Sequence, residues 1–138
     1  MKTNLKWHGK MNFEAITESG HHLTLDASEE VGGENRGPRP TEALLAATGA
    51  CSGIDIVDIL RRMRLNVESF EMEVSGERAE EYPKRFTHVN IHYKLTGDLP
   101  EAKVRRAVDL SRDKYCTVSQ SLNAEVTTSF EINGQKYE

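Results

Sequence analysis

The residues of this chain best suited to covalent chemistry are its two cysteines, Cys51 and Cys116. Cys51 lies in Arg39-Pro-Thr-Glu-Ala-Leu-Leu-Ala-Ala-Thr-Gly-Ala-Cys51-Ser-Gly-Ile-Asp-Ile-Val-Asp-Ile-Leu60, a mostly apolar run with helical spacing. Cys116 lies in Lys114-Tyr-Cys-Thr-Val-Ser-Gln-Ser-Leu122, just after a charged amphipathic segment. A thiol reacts as its thiolate. Two thiols brought together by a fold form a redox switch. An isolated cysteine among small residues is also commonly a plain core residue. There is no Cys-x-x-Cys, so neither a zinc ribbon nor a thioredoxin motif is present.

Local physics separates the two thiols. Cys51 sits about three turns, roughly 16 Å, from the start of its helix, beyond the reach of the helix dipole. Asp55, one turn onward on the same face, opposes its ionisation. An activating cation has to come from elsewhere, and Arg36 and Arg39 are nearest in sequence. Cys116 opens a short helical stretch whose N–H groups could stabilise a thiolate, which makes it the more acidic thiol on local grounds. Other candidate residues have plainer readings. His88 and His92 share a strand face but stand roughly 13 Å apart, too far for one metal ion. His21 and His22 point to opposite faces, and the histidines read as solvent-facing. Asp58 with Arg61 or Arg62 reads as a helix-surface ion pair. Glu42 reads as a first-turn helix carboxylate.

The elements that must position these residues follow from periodicity and turn signals. Thr3 to Trp7, Met11 to Thr17 and His21 to Asp26 are strand-like and separated by glycine-containing turns, a β-meander. Residues 27–38 are polar and glycine-rich, a long loop and a candidate lid or substrate rim. Pro40 suits a first helical turn, and the helix runs to about Arg64. Gly49 and Gly53 within it each cost about 1 kcal/mol relative to alanine, which asks for a close approach by another element. Val67 to Arg78 and Arg85 to Thr96 alternate as strands joined through the hairpin loop at 80–84. In the second strand Val89, Ile91, Tyr93 and Leu95 share one face. Pro100 to Tyr115 is an amphipathic helix with Val104, Ala107, Val108 and Leu110 on one face. Thr117 to Leu122 is a short helix and Val126 to Ile132 a final strand. The pattern predicts an α+β fold with a long helix packed against antiparallel sheet.

The chain has 138 residues, expected to form a single domain over 1–138. With 37% hydrophobic and 29% charged residues it is slightly short of apolar material for complete self-burial, a shortage that a shared homodimer core relieves. Net charge −4 and a pI near 5.8 give no electrostatic case for nucleic acid. No apolar run approaches the roughly 20 residues of a membrane span, and the N-terminus lacks the apolar core of a signal peptide. The expectation is a cytoplasmic protein with no membrane partner, in a compartment where a cysteine pair is redox-active or simply two free thiols.

The run Arg39 to Cys51, followed far downstream by Lys114 to Leu122, resembles the osmotically inducible protein C (OsmC) and organic hydroperoxide resistance (Ohr) family. The order of elements matches along nearly the whole chain. The resemblance implies an intertwined homodimer with a long central helix in each subunit and active sites at the subunit interface. It implies a thiol peroxidase acting on organic hydroperoxides, with no metal or organic cofactor. Cys51 matches the peroxidatic cysteine and Cys116 the resolving cysteine, the pair closing to a disulfide that a dithiol reductant reopens. Two departures mark a divergent branch. The main branches carry Asn-Pro-Glu at the helix entrance, where this chain reads Arg39-Pro40-Thr41 with Glu42 displaced by one. They also take an activating arginine from an N-terminal strand, whereas here the first arginine is Arg36. Arg39 is the preferred replacement, ahead of Lys6, Lys10 and Arg36, and Glu42 completes the expected catalytic set. A non-enzymatic small-molecule binder and a redox sensor are the rival readings of the same fold.

Overall fold

A computed structural model describes all residues, 1–138, as two compact units, Met1–Leu44 and Leu45–Glu138. The first is a three-stranded antiparallel meander of β1 (Thr3–Trp7), β2 (Phe13–Thr17) and β3 (His22–Leu25). Register places Leu5 opposite Ala15 and Ala15 opposite Leu23, and Trp7 opposite Phe13 and Phe13 opposite Leu25. These residues therefore share one face. Leu5, Trp7, Phe13 and Leu23 on that face are exposed.

The long loop is organised around buried Asp26. Its carboxylate accepts N–H groups of Ala27, Glu34 and Arg36 at 2.7, 3.3 and 3.2 Å. Burial acts to raise its pKa, but these backbone donors and the charge of Arg39 leave it below the usual carboxylate value. A short 3-10 turn, Glu29–Val31, lies inside this loop.

The longest helix, α1 (Pro40–Arg62), ends two residues earlier than its apolar pattern predicts. Arg64 has positive φ and donates its N–H to Arg61, which turns the chain out of the helix. The expectation that no segment reaches membrane-spanning size needs correction. By length and composition α1 is sufficient, because alanine, glycine and threonine bridge its larger apolar residues without interrupting it. Its Ile56 and Leu60 are fully buried in the core of the second unit.

That unit contains a four-stranded sheet in the order β4 (Ser69–Arg78), β5 (Phe86–Thr96), β6 (Glu125–Ile132), β7 (Gln135–Tyr137). Val89, Ile91, Tyr93 and Leu95 of β5 are buried, as the alternation predicts. They pack with Ile56, Leu60, Val104, Ala107, Val108, Phe130 and Ile132. The fold class is α+β, with one refinement: β5 and β6 run parallel, so this sheet is mixed rather than antiparallel. A parallel neighbour requires a crossover, here supplied by α2 (Glu101–Leu110), one π-type turn (Ser111–Tyr115) and α3 (Thr117–Gln120). The predicted single helix from Pro100 to Tyr115 is therefore α2 continued by a wider turn. Strand β7 lies beyond the predicted elements, although Asn133-Gly134, both at positive φ, is the dipeptide that favours a tight hairpin.

Candidate functional site

Helix α1 presents three rows of consequence within the second unit. Gly49 and Gly53 are one turn apart and lie against β4. An added Cβ at Gly49 would stand 2.7 Å from Val74 Cγ2 and 3.0 Å from Met72 Sδ, and one at Gly53 would stand 2.7 Å from Met72 Cε. The missing side chains thus allow the helix to sit close to the strand, which accounts for two residues that weaken a helix. The neighbouring row of Thr48, Ser52 and Ile56 is buried. Cys51 and Asp55, again one turn apart, are half-buried.

Cys116 reaches this helix from the end of the π-type turn, which its own N–H closes onto Ser111 O at 2.8 Å. Its thiol is fully buried and points at the carbonyl of Thr48, 4.0 Å away. Its sulfur also accepts the Ser119 N–H at 3.5 Å as the cap of α3. Both cysteines are free thiols. The two sulfurs and a carboxylate oxygen of Asp55 all lie within 4.8 Å of one another. The fold brings together thiols that the sequence keeps far apart.

Electrostatics reverses one expectation. Burial pushes the Cys116 thiol up from its ordinary value, and the proximity of Cys51 raises it further, outweighing the hydrogen bonds from Ser119. The sulfur caps the short helix as expected, but desolvation of the thiolate costs more than the Ser119 hydrogen bonds return. Cys116 is therefore not an acidic thiol.

Behind the thiols lies a chain of hydroxyl groups. Ser111 Oγ is 3.0 Å from both Ser52 Oγ and Asp55 Oδ2, and Ser52 Oγ is hydrogen-bonded to the Tyr93 hydroxyl. Ser111 Oγ is the donor to both Asp55 Oδ2 and Ser52 Oγ, its one proton shared between two acceptors, and the Tyr93 hydroxyl continues the chain beyond Ser52. Burial pushes Tyr93 up to about 12, so its hydroxyl keeps its proton beyond the ordinary tyrosine range. Ser52, Ser111 and Tyr93 are absent from the sequence-derived site. One signal for them was legible: a tyrosine on the buried face of a strand needs a partner for its hydroxyl.

Arg39 and Glu42 belong to the first unit, and their local contacts are structural. Glu42 Oε1 accepts the Arg39 N–H at 2.9 Å, the third-residue half of a capping box. The Arg39 guanidinium donates to Asn35 Oδ1 at 2.7 Å and to Gly37 O at 3.2 Å. Asp58 pairs with both Arg61 and Arg62, as predicted. His92 departs from the solvent-facing reading: it is half-buried, 2.7 Å from Ser129 Oγ and 2.8 Å from Glu131 Oε2.

Fold and site together define a class, an α+β protein with a dithiol seated against a long, small-residue helix. The family model described as OsmC-like protein matches residues 32–131, and the chain belongs to this family. It is 40% identical to Protein YhfA of Escherichia coli (strain K12) over 135 residues, spanning 96% of this chain and 98% of that protein. Among solved structures, a hypothetical protein from Aquifex aeolicus VF5 is 30% identical, with a TM-score of 0.78 over 95% of this chain and 96% of that one. An organic hydroperoxide resistance protein OsmC from Legionella pneumophila is 24% identical, with a TM-score of 0.70 over 95% of this chain and 97% of that one.

Proposed function

We propose that this protein is a thiol peroxidase that reduces organic hydroperoxides, working as a homodimer in the cytoplasm with each chain folded as one domain. The observation that carries the reading is the convergence of two free sulfurs within 4.8 Å, one half-buried and one fully buried. The more accessible thiol is the natural point of attack, so Cys51 is the peroxidatic residue and Cys116 the resolving one. The Cys51 thiolate attacks the distal oxygen of R–O–OH, breaks the O–O bond and becomes a sulfenic acid. The leaving alkoxide takes a proton and departs as alcohol. The Cys116 sulfur then displaces hydroxide from that sulfenic acid, giving the disulfide and water, and a dithiol reductant returns both thiols. Arg39 and Glu42 enter the proposal as the activating cation and the carboxylate that holds its backbone.

Two unburied apolar faces support the homodimer. One is the face of the meander with Leu5, Trp7, Phe13 and Leu23. The other is a mostly apolar groove of about 630 Å³ in the second unit, lined by Ile54, Val57, Phe70 and Met72 together with Asp58 and Arg61. Ile54 there is 71% exposed, a large apolar side chain left in water unless another surface covers it.

The test is an anaerobic titration of reduced protein with tert-butyl hydroperoxide, following free thiols and intact mass on a stopped-flow timescale. Fast, stoichiometric loss of both thiols into a Cys51–Cys116 disulfide is expected. Slow or absent reaction would refute the peroxidase reading.

A further inference from the structure

Cys51 and Asp55 stand one turn apart on α1, and Cys116 meets them from the π-type turn, so three potential metal ligands face a common point. A tetrahedral zinc ion with Zn–S near 2.3 Å and Zn–O near 2.1 Å sets its ligand atoms roughly 3.5–3.8 Å apart. The three atoms here already lie within 4.8 Å, so at most about 1 Å of closure is required. Half-buried Cys51 and Asp55 can supply it by small side-chain rotations.

The donor chemistry is selective. Two soft sulfurs with one carboxylate favour a thiophilic ion such as Zn²⁺ over Mg²⁺ or Ca²⁺, which take oxygen ligands. The surroundings suit ligation as well. The Ser111 hydroxyl donates to Asp55 Oδ2 at 3.0 Å and so orients the carboxylate, and the Ser119 N–H supports the Cys116 sulfur. With both thiols deprotonated, the cluster carries three negative charges. The ion pairs nearby engage Asp58, Asp109 and Asp113 rather than Asp55. A divalent cation would offset that charge.

We propose that the reduced protein binds one Zn²⁺ per chain through Cys51 Sγ, Cys116 Sγ and a carboxylate oxygen of Asp55, with water in the fourth position. Binding forms three metal–protein bonds, releases the two thiol protons to solvent and transfers no electrons. The metal occupies the sulfurs that a disulfide would join, so the zinc-loaded and oxidised forms exclude one another and zinc holds the dithiol in reserve.

The experiment uses reduced, full-length protein without peroxide, so its outcome is independent of whether the chain is a peroxidase. Zinc is titrated calorimetrically and by proton release, Co²⁺ serves as an optical probe, and X-ray absorption of the zinc form reads its ligands. One ion per chain, two protons released, thiolate-to-cobalt charge transfer and two sulfurs at about 2.3 Å are expected. Cys51→Ser, Cys116→Ser and Asp55→Asn, each checked for folding by circular dichroism, should each weaken binding at least about 100-fold, beyond the usual 10- to 100-fold loss of an outer-shell partner. A zinc shell without sulfur would overturn the proposal, and that measurement needs no variant. Binding by Asp55→Asn within about threefold of wild type would overturn the carboxylate's part and with it the three-ligand site.

Discussion

Gly49→Ala and Gly53→Ala change the same helix in the same way, yet the contacts with β4 predict opposite signs. Each substitution removes a glycine from a helix interior, a gain of about 1 kcal/mol. At Gly49 the new methyl would stand 2.7 Å from Val74 Cγ2, against the 3.5–4.0 Å at which carbon atoms rest. Valine has little freedom about χ1, so helix and strand must separate by a large part of the missing ~1 Å. Such overpacking costs about 1–3 kcal/mol, leaving a net loss near 1 kcal/mol and a Tm lower by about 3–4 °C. At Gly53 the obstruction is Met72 Cε, the tip of a side chain with three rotatable bonds. It can swing aside, so the propensity gain survives and Tm should rise by about 2–4 °C. Calorimetry of both variants at one fixed protein concentration decides the matter, because an assembling protein melts higher when concentrated. Equal stabilisation by both would refute the close seating of α1 on β4. Gly49→Ala should also slow peroxide-driven disulfide formation, since Cys51 rides two residues further along the displaced helix.

Further tests address the thiols and their surroundings. Cys51→Ser should abolish consumption of tert-butyl hydroperoxide, whereas Cys116→Ser should complete one turnover and stop at a sulfenic acid that dimedone traps; equal first-turnover rates in wild type and Cys51→Ser would overturn the assigned roles. Cys116 titrates higher in the folded protein than its ordinary 9.0, so the unfolded chain ionises first as pH rises. Reduced protein should therefore lose stability from about pH 9 upward, Tyr93 adding to the loss between 10 and about 12, and Cys116→Ser should flatten the lower part of that slope in urea titrations. Tyr93→Phe removes the buried hydroxyl partner of Ser52 and should cost about 1–2 kcal/mol by urea unfolding while leaving thiol stoichiometry unchanged; undiminished stability would contradict the hydroxyl chain. Glu42→Ala should cost about 1 kcal/mol as a lost helix-entry contact, and Arg39→Ala should slow first-turnover thiol loss at least about tenfold, with an unchanged rate removing Arg39 from the mechanism.

What the chain discloses of itself divides along physical lines. Side-chain alternation is local, so the buried face of β5 is readable from the sequence alone, and so is the pairing of Asp58 with the two arginines that follow it. The demand of Gly49 and Gly53 for a close neighbour is equally legible, but its identity, Met72 and Val74, is not, because strand and helix meet only in the tertiary fold. The parallel pairing of β5 with β6 escapes for the same reason. Cys116 shows how a local rule can be correct and still lose. Its sulfur does cap the short helix, yet burial against Thr48 dominates its ionisation, and burial is a property of the whole unit. The partnership of Cys51 with Cys116 comes from likeness to known motifs. Ser52, Ser111 and Tyr93 carry no such motif and converge only once their elements are in place.

The long stretch of chain between the two sulfurs has a consequence for chain entropy. A bond from Cys51 to Cys116 would close a loop of about 65 residues and remove conformational freedom from the unfolded chain worth about 4 kcal/mol. Oxidation would therefore make the protein harder to unfold, raising its melting temperature by roughly 10 °C or more. Heat resistance would then record exposure to peroxide, and a cell's reducing power would set how firmly the same sequence holds its shape.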